Sequence, residues 1–221
     1  MSPTSAARQP HAGIILAGGL GRRMGGGDKP LLELGGTPML ARVIDRLAPQ
    51  VERIVINANG DPARFARYDV PVVPDTIEGF AGPLAGILAG MRWSRQNFPE
   101  GRFVVSVAAD TPFFPNDLVP RLAEGCGRDE RTIALAASTA GTHPVFGLWP
   151  VALAADLDAF LRSGEGGKIL KFADRHLRLN VPFDDIVLPD GTAVDPFFNV
   201  NTPEDAKRAE EIAAALDRVA A

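Results

Sequence analysis

Two segments of the chain carry residue types that can bind and transfer phosphate groups. The first, LAGGLGRRMGGGDK from Leu16 to Lys29, has six glycines, two arginines and one lysine directly after an apolar run. Glycines leave backbone N–H groups open to phosphate oxygens, while lysine supplies a point charge and arginine a planar fork. The second, VVSVAADTPF, places Asp110 at the end of a strongly apolar stretch. Together they predict a phosphate cradle and a metal-binding carboxylate.

The glycine-rich segment departs from two common nucleotide-binding loops. A dinucleotide fingerprint needs a glycine where Met24 stands, and a Walker loop needs a lysine that follows a glycine and precedes a hydroxyl. Lys29 instead follows Asp28 and precedes Pro30. A magnesium ligand must therefore come from elsewhere, and Asp110 is the candidate. A solvated glycine loop and a turn-capping Asp110 are the alternatives without a bound ligand.

Composition and charge exclude several classes of protein. The chain has 221 residues, of which 46% are hydrophobic, and this fits one globular domain with a sizeable core. The net charge of -4 argues against a general nucleic-acid surface. No stretch suits a signal peptide or approaches the ~20 apolar residues of a membrane span, so a cytoplasmic protein is expected. The single cysteine, Cys126, excludes an intrachain disulfide and a cysteine metal cluster.

Alternation of short apolar runs with helix-periodic stretches predicts a three-layer, Rossmann-like α/β fold with a mostly parallel central sheet. Ligands are then expected at the carboxyl ends of the strands. Thr37 is the predicted N-cap of the first helix, and Asp61-Pro62 and Thr202-Pro203 repeat that start signal. Further helices are predicted over 82–96 and, as a pair, between 151 and 173. Strands are predicted over 13–17, 53–58, 70–73, 103–109, 131–136, 145–149, 177–181 and 193–200.

At this point the residues show a family resemblance. LAGGLGRRMGGGDKPLLELGGTPML resembles the signature of the molybdenum cofactor guanylyltransferases, within the larger group of nucleotidyltransferases. Five further stretches fit the same family in the same order: INAN, VPDTIEGFAGPLAGI, AADTPF, HPVFGLW and FFNVNTPED. The resemblance extends from Gly13 to about Asp205, and the combination of motifs is far more specific than any one of them.

The resemblance implies transfer of GMP from GTP to the terminal phosphate of molybdopterin, with release of pyrophosphate. The implied cofactor is Mg2+, with Mn2+ as the alternative metal, and GTP is a substrate. One nucleotidyltransferase domain is expected over 1–221, with a GTP-binding part at about 10–112 and an acceptor-binding part at about 113–221. Residues 1–9 are expected to be flexible. A monomer in transient contact with cofactor-delivery proteins or molybdoenzyme chaperones is expected, without nucleic-acid or membrane partners.

The family's nucleotide-binding positions fall on residues of the first half. The resemblance places Leu16, Ala17, Gly18 and Gly19 at the base, Asn57 and Asp75 on the base and ribose side, Arg22, Arg23 and Lys29 at the phosphates, and Asp110 at the metal. Of these, Lys29, Arg23 and Asp110 form the expected catalytic set. For Asn57 and Asp75, the capping of local turns stays open as an alternative.

Acceptor-side positions fall mainly in the second half. The resemblance assigns Gly82, Gly86, Asn199 and Asn201 to the acceptor substrate. Close packing at a helix start would equally explain the glycines, and Asn201 could instead cap the last helix. His143 also matches a family position, but a histidine before proline is interpreted as structural. Lys168 and Lys171 lie where family members often have arginines, so the fork geometry is lost there.

Four other functions compete with this interpretation. A molybdopterin cytidylyltransferase would be expected to have LAAG where this chain has LAGG, and sugar-phosphate nucleotidyltransferases usually have a C-terminal extension. A non-catalytic nucleotide-binding module has less need of Asp110 at a strand end. An NAD-dependent oxidoreductase would need the third glycine of its fingerprint.

Overall fold

The computed structural model of the chain describes residues 11–18, 29–77, 82–126, 129–164 and 167–220. Gly19, Arg22 and Arg23, predicted to bind the nucleotide, lie outside the described residues, as do residues 1–9. No helix among the described residues is both long and apolar enough to cross a membrane.

Eleven strands and six α-helices make up the regular structure of the described residues. The strands are β1 (His11–Leu16), β2 (Glu33–Leu34), β3 (Thr37–Pro38), β4 (Arg53–Asn57), β5 (Val72–Val73), β6 (Phe103–Ala108), β7 (Ile133–Ser138), β8 (Gly141–Pro150), β9 (Arg178–Pro182), β10 (Ile186–Val187) and β11 (Ala193–Val194). The helices are α1 (Met39–Leu47), α2 (Pro83–Asn97), α3 (Leu118–Cys126), α4 (Ala154–Arg162), α5 (Ile169–Ala173) and α6 (Pro203–Ala220). Short 3-10 turns cover Lys29–Leu31, Ala48–Gln50, Pro62–Tyr68 and Val151–Leu153.

The central sheet has the strand order β5-β4-β1-β6-β8-β7-β9. Its neighbours pair in parallel except on the two sides of β8, which runs antiparallel to β6 and to β7. From β1 the chain passes to β4 and β5 on one side, and α2 then returns it to β6 on the other. This reversal makes the carboxyl ends of β1 and β6 the topological switch point, where α/β sheets bind ligands. The predicted α/β architecture is confirmed.

Both faces of the sheet are covered, which explains the nearly continuous apolar strands. Ile14 and Ile15 are adjacent, point to opposite faces and are both fully buried. Ile15 packs in a core with α1 and α3, and Ile14 packs in another with α2, α4 and α5. A third, smaller core holds α6 against Met39 and Phe113. The last helix is thereby attached close to the start of α1.

Two local predictions are wrong in detail. Thr37 is not the N-cap of α1, because Thr37 and Pro38 pair with β2 and the helix begins at Met39 without a side-chain cap. The predicted strand over 193–200 ends at Val194, because a turn starts at Asp195. The Asp195 side chain holds this turn by accepting a hydrogen bond from the Phe197 N–H at 2.8 Å. The helical starts at Asp61 and Thr202 are confirmed, the first of them as a 3-10 turn.

Candidate active site

Three side chains from distant parts of the sequence meet beside the carboxyl end of β6. The Lys29 Nζ donates hydrogen bonds to Asp110 Oδ2 at 2.6 Å and to Asn201 Oδ1 at 2.8 Å. Asp110 lies two residues beyond β6, Lys29 opens a short 3-10 turn, and Asn201 precedes α6. The Lys29 and Asp110 side chains are 16% and 25% exposed, so the pair is open to solvent on one side. We call these three residues the phosphate-side cluster.

Backbone contacts hold Asp110 and the segment before α6 together. The Val200 N–H donates to the Asp110 backbone oxygen at 2.9 Å. Thr111, which is buried, donates from its hydroxyl to Asp110 Oδ1 at 3.4 Å. The Asp110 carboxylate is therefore held at the strand end while its Oδ2 faces the lysine.

The donor set of this cluster fits a hard divalent cation. Asp110 and Asn201 direct two oxygens at one cationic group, the Lys29 ammonium, and Mg2+ prefers such oxygen ligands. Within the described part of the chain, no three His, Cys, Asp or Glu residues are grouped to hold a metal ion. A metal here would depend on substrate phosphates and water for its remaining ligands, which is how Mg2+ is usually bound in phosphoryl-transfer enzymes.

A second group of polar residues lies at the carboxyl ends of β4 and β5, and we call it the base-side cluster. Asn57 Nδ2 donates to Asp75 Oδ1 at 3.0 Å and to the Val73 oxygen at 3.2 Å. Asn59 Nδ2 donates to Asp75 Oδ2 at 2.8 Å, and the Asp75 N–H donates to Asn59 Oδ1 at 2.9 Å. Asn59 was not among the predicted site residues, although the repeated asparagine of INAN is the signal that could have found it.

Leu16, Gly18 and Gly86 surround the Asn57 side chain. A Cβ added at Gly86 would overlap Asn57 Oδ1 and lie 2.6 Å from Leu16 Cδ2, so only glycine fits there without a shift. At Gly18 the nearest atom to an added Cβ is again Asn57 Oδ1, at 3.9 Å. The Ala17 N–H donates to the backbone oxygen of Asn57 at 2.9 Å. The structure thus gathers the described base-side residues, which are Leu16, Ala17, Gly18, Asn57 and Asp75, at one end of the sheet and places Gly86 with them.

The remaining acceptor-side residues lie on three different segments of the chain. Gly82 precedes α2, and a Cβ added to it would lie 4.0 Å from the Gly167 oxygen, beside Lys168. Asn199 is exposed in the turn between β11 and α6. Lys168 and Lys171 are exposed on and before α5. Their predicted roles toward the acceptor stay predictions.

His143 takes part in a polar network behind the turn that carries Asn199. Its Nε2 lies 2.7 Å from Ser138 Oγ, and the Ser138 hydroxyl donates to Asp195 Oδ2 at 3.0 Å. Because that hydroxyl proton is directed to Asp195, the histidine Nε2 must donate to Ser138. The His143 ring stacks on Phe197 with centroids 4.4 Å apart. Burial lowers the His143 pKa, and this effect is larger than the opposite effect of the negative charge of Asp195. These contacts agree with the structural interpretation of His143.

Known proteins similar to this chain point to one family. Residues 13–179 match the MobA-like NTP transferase domain. The molybdenum cofactor guanylyltransferase of Bradyrhizobium sp. (strain ORS 278) is 52% identical over 215 residues, which cover 97% of this chain and 99% of that protein.

Solved structures show the same fold. The molybdopterin-guanine dinucleotide biosynthesis protein A of Archaeoglobus fulgidus matches 92% of this chain and 98% of its own, with a TM-score of 0.71 and 24% identity. Rv0371c of Mycobacterium tuberculosis, solved in complex with manganese, matches 91% of this chain and 98% of its own, with a TM-score of 0.64 and 18% identity. The matched domain, the extent of sequence identity and the α/β architecture agree, and the chain belongs to the MobA-like NTP transferase family, whose members are nucleotidyltransferases.

Proposed function

We propose that this enzyme transfers GMP from GTP to the terminal phosphate of molybdopterin, forming the guanine dinucleotide cofactor and releasing pyrophosphate. The observation that carries the proposal is the convergence of Lys29, Asp110 and Asn201 beside the switch point of the sheet. The relative that is 52% identical over nearly the whole chain, named a molybdenum cofactor guanylyltransferase, supports this choice of substrates.

The reaction is an in-line displacement at the α-phosphorus of GTP. An oxygen of the acceptor phosphate forms the new P–O bond, the bond between the α-phosphorus and the bridging oxygen breaks, and pyrophosphate leaves with that electron pair. A phosphomonoester has its second pKa at about 6, so the attacking oxygen is largely ionised at neutral pH and a general base is not required. Catalysis then depends on alignment and on neutralising negative charge.

The phosphate-side cluster supplies both requirements. The Lys29 ammonium, attached through two hydrogen bonds, would exchange them for phosphate oxygens of GTP. Asp110 and Asn201 would hold Mg2+ or Mn2+, which supplies further positive charge to the triphosphate when bound. Arg22 and Arg23 are proposed as additional phosphate ligands on the resemblance alone.

Recognition of the nucleobase is proposed for the base-side cluster. Asn57, Asn59 and Asp75 present amide donors and carboxylate oxygens at adjacent strand ends, and Gly86 leaves the Asn57 side chain in place. Guanine has a ring N–H, an exocyclic amino group and a carbonyl acceptor, which such a mixed set can bind. The GTP-binding part over about 10–112 would therefore use both clusters, and Asn201 would come from the acceptor-binding part.

Release of pyrophosphate distinguishes this function from its competitors. The purified protein would be incubated with molybdopterin-loaded acceptor, Mg2+ and GTP, CTP or ATP, with acceptor-free reactions as the blank. We expect acceptor-dependent release with GTP. Release with CTP but not GTP would identify a cytidylyltransferase, and no release with any nucleotide would favour a non-catalytic binding module.

A further inference from the structure

The segment 195–202, between β11 and α6, delivers Asn201 to the phosphate-side cluster, although it contains no helix or strand. Hydrogen bonds at both ends of the stretch 195–200 help to position it. Asp195 accepts a hydrogen bond from the Phe197 N–H, and the Val200 N–H donates to the Asp110 backbone oxygen at 2.9 Å. Since Asn201 follows directly, the orientation of its side chain depends on what holds the next peptide groups.

One carboxylate on the first turn of α6 holds those groups. Asp205 Oδ2 accepts hydrogen bonds from the Asn201 N–H and the Thr202 N–H, both at 2.9 Å. In return the Thr202 hydroxyl oxygen accepts from the Asp205 N–H at 3.1 Å, which completes a capping box. The bond to Asn201 is additional to that motif, because a capping box requires only the bond to the N-cap residue.

The electrostatics agree with this arrangement. The two backbone donors, above all that of Asn201, lower the pKa of Asp205 below its usual value, and the nearby charge of Lys29 acts in the same direction. Three consecutive N–H groups, those of Val200, Asn201 and Thr202, are thus all bonded.

We infer that Asp205 is a positioning residue of the transfer reaction, which fixes the Asn201 backbone so that the Asn201 Oδ1 stays beside Lys29 and Asp110. The inference rests on the proposed function. Asn201 is exposed, so without the bond to Asp205 its peptide group would be free to turn and its amide would leave the lysine. A displacement of about 1 Å at a reacting centre can lower a rate about 100-fold.

A double-mutant cycle on kcat/KM for pyrophosphate release tests whether Asp205 acts through Asn201. We expect Asp205→Ala and Asn201→Ala each to lower kcat/KM by about 10- to 100-fold. The kcat/KM of the double variant should be no more than about threefold lower than that of the less active single variant. Effects of residues that act through one contact are not additive. Effects that multiply in the double variant would overturn the inference.

Two variants on the same turn separate positioning from helix stability. Glu204→Ala removes an exposed neighbouring carboxylate and should leave kcat/KM unchanged. Thr202→Ala removes the other half of the capping box, so it should lower the melting temperature about as much as Asp205→Ala while sparing activity. Equal losses of activity in the Thr202 and Asp205 variants would show that Asp205 only stabilises the helix.

The conservative variant gives the final check. Asp205→Asn retains a side-chain oxygen that can accept from Asn201, so kcat/KM should return to within about threefold of the natural protein. A variant as impaired as Asp205→Ala would overturn the inference. A natural protein without GTP-dependent pyrophosphate release would overturn the proposed function as well, whereas an active one with multiplying effects would overturn the role of Asp205 alone.

Discussion

The base-side and phosphate-side clusters both lie at the carboxyl ends of the strands of one sheet, yet they are assembled differently. Asn57, Asn59 and Asp75 are separated by at most 18 residues and hydrogen-bond one another at the ends of adjacent strands. Lys29 is 81 residues from Asp110 and 172 residues from Asn201 along the chain, and the three meet only because β6 and α6 bring them together. The first cluster is a product of local strand pairing, whereas the second requires the complete fold.

We propose that this difference corresponds to two tasks. The side chains of the base-side cluster bond one another, and the Val73 backbone oxygen holds the Asn57 amide, which suits a surface that recognises a ligand without changing. The phosphate-side cluster joins a cation to a carboxylate and an amide at a partly open position, where incoming phosphates can compete for the cation. We therefore expect mutations in the two clusters to alter different kinetic constants.

The largest effect is expected from the phosphate-side cluster. Lys29→Ala and Asp110→Ala should each lower kcat by about 100- to 1,000-fold, because each removes a preorganised charge from the transition state. Steady-state pyrophosphate release with GTP and molybdopterin measures this. Asp117→Ala, which removes an exposed carboxylate directly before α3, is the matched control. Near-normal kcat in either cluster variant would refute the assignment of catalysis to these residues.

Asn57→Ala should instead raise the KM for GTP by about tenfold, with kcat within a few-fold of the natural value. The loss of one or two hydrogen bonds costs about 1 to 1.5 kcal/mol, which corresponds to such a factor. Nucleotide binding can be measured directly with a fluorescent GTP analogue. A large fall in kcat with unchanged KM would show that the two clusters do not divide binding and catalysis as we propose.

Two glycines on successive turns of α2 allow a sharper test of the base-side cluster. An added Cβ at Gly86 would press on Asn57 and Leu16, whereas one at Gly90 would lie 2.5 Å from Ile14 Cδ1, within the core. Such overpacking costs about 1 to 3 kcal/mol of the free energy of unfolding, so both alanine variants should be destabilised in urea. Only Gly86→Ala should also raise the KM for GTP. An equal rise for Gly90→Ala would mean that loss of stability alone explains the effect.

The parts that could be predicted from the sequence follow the same division. Apolar runs and the start signal at Thr202 predicted the sheet and α6, and the strand-end positions of Asn57, Asp75 and Asp110 predicted an edge with polar groups. Thr37 shows why the rest could not be predicted. The N-cap signal at Thr37 is local in sequence. The start of α1 is instead determined by the pairing of β3 with β2, which that local signal does not reveal.

The contact between Lys29 and Asn201 could not be predicted from spacing either. The sequence predicts a strand over 193–200 that ends directly before Asn201, and it leaves open whether Asn201 binds the acceptor or caps the last helix. The turn at Asp195 and the carboxylate of Asp205 decide its orientation, and both act through backbone N–H groups. Side-chain patterns describe apolar faces well, but they do not reveal which carboxylate accepts which backbone donor.

The smallest expected effect concerns a residue outside both clusters. Cys126 ends α3 with its thiol buried, and its Sγ donates to the Thr132 oxygen at 3.4 Å. Burial, assisted by the charge of Asp129, raises the pKa of this thiol from 9.0 to about 11. At pH 8 the folded protein should therefore react with iodoacetamide about 100 times more slowly than the unfolded chain, since the thiolate is the nucleophile.

The same shift gives Cys126 a stability effect with a definite sign. The unfolded thiol loses its proton first, so its contribution to the free energy of unfolding is fully present below pH 9 and decreases as the pH rises toward 11. Urea titrations between pH 8 and 10.5 measure this, with Cys126→Ala as the control in which the thiol contribution is absent. Identical pH dependence in the two proteins would contradict the raised pKa. Pyrophosphate release by the alanine variant should stay within twofold of natural at pH 7.5, because Cys126 is a buried core residue whose thiol donates to Thr132, which belongs to neither cluster.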